Sequence, residues 1–231
     1  MRTAAILPVK RFAHAKQRLG ASVADQLRLR LASAMVADVL LALAQTEAIE
    51  RTIVVTREDA VATAARQHGA IVVEDAAESG QSSAAVLGVQ RALAEGIERV
   101  LCIPGDCPAL DPAELEVLLS APGAERPGER AVVIVPDRHG TGTNGLLLTP
   151  PDAIAPSFGP GSCERHRALA LAAGITPGLE QPSSLLLDID TGADLAALRE
   201  RLAGLSARAP RTRAVLGQDA RTNVIPLTTP A

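Results

Sequence analysis

Short apolar runs alternate with longer stretches of helical periodicity through the first half of the chain, and no other feature restricts its fold as much. Thr3–Val9, Arg51–Thr56, Ala70–Glu74 and Arg99–Pro104 each read as a strand. Between them, Ser22 opens a helical stretch that runs to Thr46, Thr56 caps a short one ending near Gly69, and the turn at Ser79-Gly80 precedes one reaching Glu95. Asp111-Pro112-Ala113-Glu114 starts another, with a cap, a proline at the first helical position and Glu at the third. This alternation predicts parallel βαβ units with helices on both faces of a sheet. The second half is less regular: a turn at Pro122–Gly128, strands at Ala131–Pro136 and Gly145–Thr149, a helix from Phe158-Gly-Pro-Gly-Ser162 to Gly174, a strand at Leu185–Ile189 and a helix at Gly192–Gly204. Beyond Leu205 the chain is rich in Arg, Pro and Thr without periodicity. One domain over residues 1–204 followed by a disordered or loosely docked tail, 205–231, is the expected organisation.

Two acidic tips end apolar runs far apart in the chain: Arg99-Val-Leu-Cys-Ile-Pro-Gly-Asp106 and Leu185-Leu-Leu-Asp188-Ile-Asp190. Ligands of open α/β sheets collect beyond the carboxyl ends of the strands, so Asp106, Asp188 and Asp190 are expected to converge on one crevice. Clustered carboxylates repel unless a cation sits among them, and hard oxygen ligands beside a phosphate suit Mg²⁺. An Asp at a strand end can equally cap the next helix. The Asp188-x-Asp190 pair is harder to explain as a cap: alternate strand residues share a face, and Thr191 with Asp194 already offers a cap for the last helix. The pattern points to metal-assisted phosphoryl or nucleotidyl chemistry.

Composition removes several alternatives. The chain of 231 residues is 47% hydrophobic, carries a net charge of −3 and contains two Phe but no Trp or Tyr. It has the length for one well-buried core and lacks the aromatic platforms and the positive charge on which single-stranded nucleic acid binds. Cys102, Cys107 and Cys163 are an odd number without C-x-x-C spacing, which indicates neither a zinc site nor a disulfide framework and fits a reducing cytoplasm. No signal core is evident, and no apolar stretch reaches the roughly 18 residues that span a bilayer. Arg2, Lys10, Arg11, Lys16 and Arg18 all precede the first acid, Asp25, so the loop after the first strand is basic and suited to an anion.

Other motifs fail on context. Gly140-x-Gly142-x-x-Gly145 matches the dinucleotide fingerprint formally, but a strand-like run ending in Pro150 follows it where a helix is required. No Gly-Lys pair exists to build a P-loop, and no Gly-x-Ser-x-Gly elbow is present. His14, His68, His139 and His166 have no partner by spacing and are expected mostly at the surface. Two segments suit anions better. The glycines of Gly140–Asn144 would let backbone N–H groups approach a ligand, with Thr141, Thr143 and Asn144 as further donors, and Gly159-Pro-Gly-Ser162 would offer the free N–H groups of a helix start. Their bland readings are a flexible hairpin and a plain Ser cap.

Taken together, Ile6-Leu-Pro-Val-Lys10, Ala15-Lys16-Gln-Arg18-Leu19, Pro104-Gly-Asp106-Cys-Pro-Ala-Leu, Gly140-Thr-Gly-Thr-Asn144, Phe158-Gly-Pro-Gly-Ser162 and Asp188-Ile-Asp190 resemble, in the same order, the guanylyltransferases of coenzyme F420 biosynthesis. The resemblance spans residues 3–203. It implies a Rossmann-like three-layer α/β/α nucleotidyltransferase fold with a mixed, mostly parallel sheet, similar to nucleotide-sugar pyrophosphorylases. It further implies GTP and a small phosphorylated carboxylic acid as substrates and Mg²⁺ as cofactor, in a cytoplasmic protein without nucleic-acid or membrane partners that could form a homodimer. By the same resemblance Asp106, Asp188 and Asp190 would hold metal, Thr143, Gly159 and Ser162 the phosphorylated acid, and Lys10, Lys16 and Arg18 the triphosphate, with Lys16 and Arg18 acting in catalysis. Gly80, Ser82 and Asp106 would complete the nucleotide site. The chain departs from the family at Ser79-Gly-Gln-Ser-Ser-Ala84, where relatives more often show Gly-Leu-Asn.

The implied step is in-line attack of the acid's phosphate oxygen on the α-phosphorus of GTP, expelling pyrophosphate. That oxygen is anionic at neutral pH and needs no general base, in keeping with the lack of a Ser/His or Cys/His constellation. Among the acids of the family, phosphoenolpyruvate is preferred by resemblance to bacterial members, with 2-phospho-L-lactate and 3-phospho-D-glycerate as alternatives. A nucleotidyltransferase acting on a different acceptor and a noncatalytic nucleotide-binding module are the competing readings.

Overall fold

The computed structural model describes residues 1–12, 19, 24–120, 129–205 and 207–222. Lys16, Arg18, the expected cap Ser22 and the turn Pro122–Gly128 lie outside the described residues. The elements, in order, are β1 (Thr3–Val9), α1 (Asp25–Ala44), β2 (Arg51–Thr56), α2 (Asp59–Gln67), β3 (Ile71–Glu74), α3 (Gln81–Ala94), β4 (Arg99–Cys102), α4 (Pro112–Leu119), β5 (Ala131–Pro136), β6 (Thr143–Thr149), α5 (Ser162–Ala172) and β7 (Gly178–Leu179). A 3-10 turn (Ser183–Leu185), α6 (Gly192–Ala203) and α7 (Pro210–Thr222) complete them.

The strands form one sheet in the order β3-β2-β1-β4-β6-β5-β7. Only β6 runs against its neighbours, β4 and β5; the other pairs are parallel. The short β5–β6 connection forces this, because a parallel return needs a crossover of a dozen or more residues. Alternation along the strands feeds two cores. Ala5 and Leu7 of β1 face one side, where they meet Val36 and Leu40 of α1, Val61 of α2 and Leu115 of α4. Ala4 and Ile6 face the other, against Ala85 and Val89 of α3 and Ala170 of α5. Two helical layers thus sandwich the sheet.

The position of α3 decides where a ligand can bind. The chain winds outward from β1 through β2 to β3 with α1 and α2 on one face. It then returns by α3 on the opposite face to place β4 on the other side of β1. A crevice opens at such a reversal, beyond the carboxyl ends of β1 and β4. Helix α3 lies close enough on β1 that a Cβ on Gly88 would stand 2.3 Å from Cγ2 of Ile6.

Two sequence expectations fail. Leu185–Ile189 is not a strand: the 3-10 turn ends at Leu185, and the following residues join no sheet. The sheet edge beside β5 is taken by β7. Residues 187–190 still alternate between buried and half-buried, because Leu187 and Ile189 insert among Leu195 and Leu198 of α6 and Leu31 and Met35 of α1. A period of two reported burial on one side, and a helical groove satisfied it as well as a sheet does. The second concerns residues 207–222 of the expected tail, which hold helix α7; the rest of the tail, 206 and 223–231, lies outside the described residues. Leu216 and the preceding Ala209 pack in that same cluster. The start of α7 is capped from far away, since the buried carboxylate of Asp38 on α1 accepts from Arg211 N at 3.1 Å and from Thr212 N at 2.8 Å. A cap supplied 173 residues away leaves no local signature. Among the described residues, no helix is long and apolar enough to cross a membrane.

Replacing Asp38 with Ala strands two amide N–H groups at the start of α7. The expected loss is about 1–3 kcal/mol in urea unfolding, with faster proteolysis beyond Ala209. An unchanged midpoint would show that α7 docks without this cap.

Candidate active site

The crevice beyond β1 and β4 has a volume of about 330 Å³. Pro8, Val9 and Lys10 follow β1 into it, Pro104, Gly105 and Asp106 follow β4, and Thr143 and Asn144 enter from β6. Asp75 reaches it from the end of β3, Gly80 and Gln81 from the start of α3, and Ala32, Met35 and Val36 of α1 form an apolar wall. Asp188 and Asp190 complete the lining. Of the residues singled out in the sequence, Lys10, Gly80, Asp106, Thr143, Asp188 and Asp190 are therefore together. Ser82, Gly159 and Ser162 are outside the lining. The hydroxyl of Ser82 is occupied, accepting from Phe158 N at 2.9 Å.

The three carboxylates are held by backbone and amide contacts rather than by a shared strand. Ile189 N donates to Asp106 O at 3.1 Å and so fixes the Asp188–Asp190 segment to the β4 loop. The side-chain amide of Asn144 donates to Asp188 Oδ1 at 3.1 Å and to Leu185 O at 2.8 Å. Burial pushes the Asp188 carboxyl above the ordinary carboxylate range, and the charges of Asp106 and Asp190 push it further. Asp194 anchors the far end. Its Oδ2 accepts from Asp190 N, Thr191 N and Thr191 Oγ1 at 3.1, 2.7 and 2.8 Å, and its Oδ1 pairs with Arg138 at 2.5 Å. The predicted capping box of α6 thereby also positions Asp190. Among the described residues, no group of three His, Cys, Asp or Glu side chains stands close enough together to hold a metal ion. The oxygens are nevertheless hard donors crowded against their own repulsion, a set that a divalent cation would relieve.

A β-bulge aims the β6 residues. Val135 pairs with Gly145 and Pro136 with Thr143, leaving Asn144 as the extra residue. Consecutive strand residues ordinarily point to opposite faces, and the bulge lets both Thr143 and Asn144 line the crevice. Behind Thr143 lies His166, which is fully buried and not at the surface. Ser157 N donates to its Nε2 at 2.8 Å, so that nitrogen is unprotonated and the ring proton sits on Nδ1. Nδ1 lies 3.0 Å from Thr143 Oγ1 and donates to it, which leaves the Thr143 hydroxyl to donate its own proton elsewhere. Burial, with Arg165 nearby, pushes the imidazole down to about 4. Phe158 covers the ring edge-on, with centroids 5.2 Å apart.

The two expected anion loops differ from the sequence reading. In the β5–β6 loop, Asp137 takes the N–H groups of His139, Thr141 and Gly142 at 3.0, 2.9 and 2.9 Å, so these donors hold the hairpin and not a ligand. The Asp137 carboxylate competes with a ligand for these amides and wins them in the folded loop. At the start of α5, Gly161 adopts a left-handed conformation with φ of 71°. The Arg165 guanidinium gathers the carbonyls of Ser157 and Phe158 at 3.0 and 3.1 Å, and that of Pro160. Ser162 Oγ is buried without a hydrogen-bond partner, an uncommon state for a hydroxyl that a ligand atom would resolve.

The chain is similar to several known proteins. A phosphoenolpyruvate guanylyltransferase of Conexibacter woesei is 49% identical over 223 residues, covering 96% of this chain and 99% of its own. One of Sphaerobacter thermophilus is 36% identical over 204 residues, covering 88% and 94%. Among solved structures, a protein described as a nucleotide-diphospho-sugar transferase of Desulfovibrio desulfuricans G20 superposes with a TM-score of 0.76 at 17% identity, covering 96% of each chain. A nucleotidyl transferase of Methanothermobacter thermautotrophicus superposes with a TM-score of 0.60 at 21% identity, covering 87% of this chain and 97% of its own, so the chain shares their fold. The family described as guanylyl transferase CofC-like matches residues 3–204, and with those relatives it shows that the chain belongs to the CofC-like guanylyltransferases.

Proposed function

We propose that this guanylyltransferase joins GTP to phosphoenolpyruvate, giving enolpyruvyl-diphospho-5′-guanosine and pyrophosphate in coenzyme F420 biosynthesis. The observation that carries the reading is the meeting of Asp106, Asp188 and Asp190 with Lys10 and Thr143 in one crevice. The names of the relatives from Conexibacter woesei and Sphaerobacter thermophilus support the choice of acid. A phosphate oxygen of the acid attacks the α-phosphorus of GTP; the new P–O bond forms as the bond to the β-phosphate bridge breaks. No side chain need remove a proton.

Charge is the obstacle. Two like unit charges 4 Å apart repel by about 1 kcal/mol in water and about 4 kcal/mol at an effective dielectric of 20, and two polyanions multiply this. Lys10 faces the triphosphate, and Lys16 and Arg18 oppose the charge that develops on pyrophosphate. Asp106, Asp188 and Asp190 would hold Mg²⁺, which would supply Lewis-acid neutralisation of phosphate charge. Thr143 donates to the acid, because His166 occupies its acceptor side and turns its proton outward. Gly159 and Ser162, which the family resemblance assigns to the same anion, lie outside the crevice lining, so the contact to the acid in the crevice is assigned to Thr143.

Asp188→Asn and Asp190→Asn keep shape while removing charge. Each should lower pyrophosphate release by about a hundredfold or more with little change in melting temperature. Near-normal turnover in both would remove the pair from the metal site. In parallel assays with GTP, phosphoenolpyruvate should give a higher kcat/KM than 2-phospho-L-lactate or 3-phospho-D-glycerate; a clear preference for either of those would change the acceptor and leave the guanylyl transfer intact.

His166 also makes stability depend on pH. Its ring titrates near 6.5 when unfolded and at about 4 when folded, so between these values the unfolded chain binds the extra proton. Stability is therefore highest above pH 6.5 and falls as the pH drops toward 4. Comparing urea midpoints at pH 7 and pH 5, His166→Gln should show a smaller acid loss than the wild type. Equal losses in the two proteins would mean that the ring is not held neutral.

A further inference from the structure

The acidic trio and Thr143 occupy the part of the crevice beyond β4 and β6. The opposite end, beyond β3, carries a fourth carboxylate, Asp75. It is 8% exposed, and its Oδ1 accepts from Glu78 N at 3.0 Å, which holds one of its two oxygens. Arg57, which passes nearby to reach Ala76 O, pairs with Glu74 and Glu78 and not with Asp75. A largely buried carboxylate in a crevice that receives a polyphosphate is unfavourable unless a donor meets it.

The sheet order sets what that donor can be. Strand β1, with Lys10 at its tip, lies between β3 on one side and β4 on the other. A nucleotide whose phosphates lie over β1 and β4 therefore extends its base toward β3. The surfaces there suit a flat ring. Pro8, Val9 and Ala84 are apolar, and a Cβ built on Gly80, whose φ is 122°, would meet nothing within 4 Å. Guanine presents two adjacent donors on one edge, N1–H and the 2-amino group, which match the two acceptors of a carboxylate. Adenine offers an acceptor and a donor on the corresponding edge, cytosine an acceptor at N3, and uracil one donor between two carbonyls that a carboxylate repels.

We infer that Asp75 is the base-selecting residue of the crevice, accepting from the N1–H and 2-amino groups of guanine. The inference rests on the guanylyl-transfer reading and adds the residue that enforces it. It also accounts for the altered Ser79–Ala84 segment: selection comes from the end of β3, while Gly80 supplies space and Ser82 is engaged with Phe158.

The test is nucleotide binding to the full chain in Mg²⁺ buffer, measured by calorimetry without any acceptor acid. Wild-type protein should bind GTP at least about tenfold more tightly than ITP, which lacks the 2-amino group. Asp75→Asn replaces one acceptor with a donor. It should weaken GTP by about thirtyfold or more and bind XTP, with a carbonyl at position 2, more tightly than GTP, inverting the wild-type order. A variant that keeps the wild-type GTP-to-XTP ratio overturns the assignment, as does equal loss of both in a variant that melts normally. If Asp75→Asn does not fold, the wild-type comparison decides, and equal affinity for GTP and ITP overturns it. Preference of the wild type for ATP, CTP or UTP would overturn the guanylyl reading itself, a result distinct from loss of the Asp75 contact alone.

Discussion

Three carboxylates that repel one another are kept in one crevice, and much of the surrounding structure is what keeps them there. Asp106 is placed by the turn after β4, and its carbonyl holds Ile189 N at 3.1 Å. Asp188 is tied to the sheet through Asn144, and Asp190 is tied through its amide to the cap of α6. The cost of this crowding is visible in Asp188, whose carboxyl is driven upward by burial and by its two neighbours. Such an arrangement is unfavourable for folding and persists because packing on both sides overdetermines it.

A second constraint acts in the loops behind Thr143. Polar groups that could face a ligand are mostly consumed by the fold: Asp137 takes the loop amides, and Arg165 takes the carbonyls before α5. What remains is selective. The neutral His166 donates to Thr143 and so orients one hydroxyl, and Ser162 retains one hydroxyl without a partner. A crevice whose Thr143 hydroxyl is oriented by a buried neighbour discriminates by position rather than by net charge. The short switch from β6 hydrogen bonding to a bulge at Asn144 brings Thr143 into the crevice with the carboxylates.

Membership of the CofC-like guanylyltransferases and the fold of nucleotidyltransferases describe the same object from two sides. The layered sheet provides the crevice at the reversal between β1 and β4, and Lys10, Gly80, Asp106, Thr143, Asp188 and Asp190 line it. Helix α7 extends the structured chain beyond residue 204, where the family match ends, and braces α1, whose Met35 and Val36 line the crevice.

The amino-acid sequence by itself determined the alternation of β1 through α4, the bounds of β2 and β5, the start of α4 at Asp111 with its cap at 2.9 Å, and the capping box at Thr191. These depend on periodicity and on partners a few residues away, which a linear reading contains. It also pointed to Asp106, Asp188 and Asp190 as meeting, but through a strand at Leu185–Ile189 that does not form; the Ile189 N–Asp106 O bond and the Asn144 amide bring them together instead. Only tertiary structure decided that Leu185–Ile189 leaves the sheet, that α7 forms on a cap from Asp38, that β6 bulges at Asn144, and that His166 is buried behind Thr143. Each of those outcomes depends on a contact between distant segments competing with a local preference. Such competition is settled by which groups are buried together, information that exists only once the chain has folded.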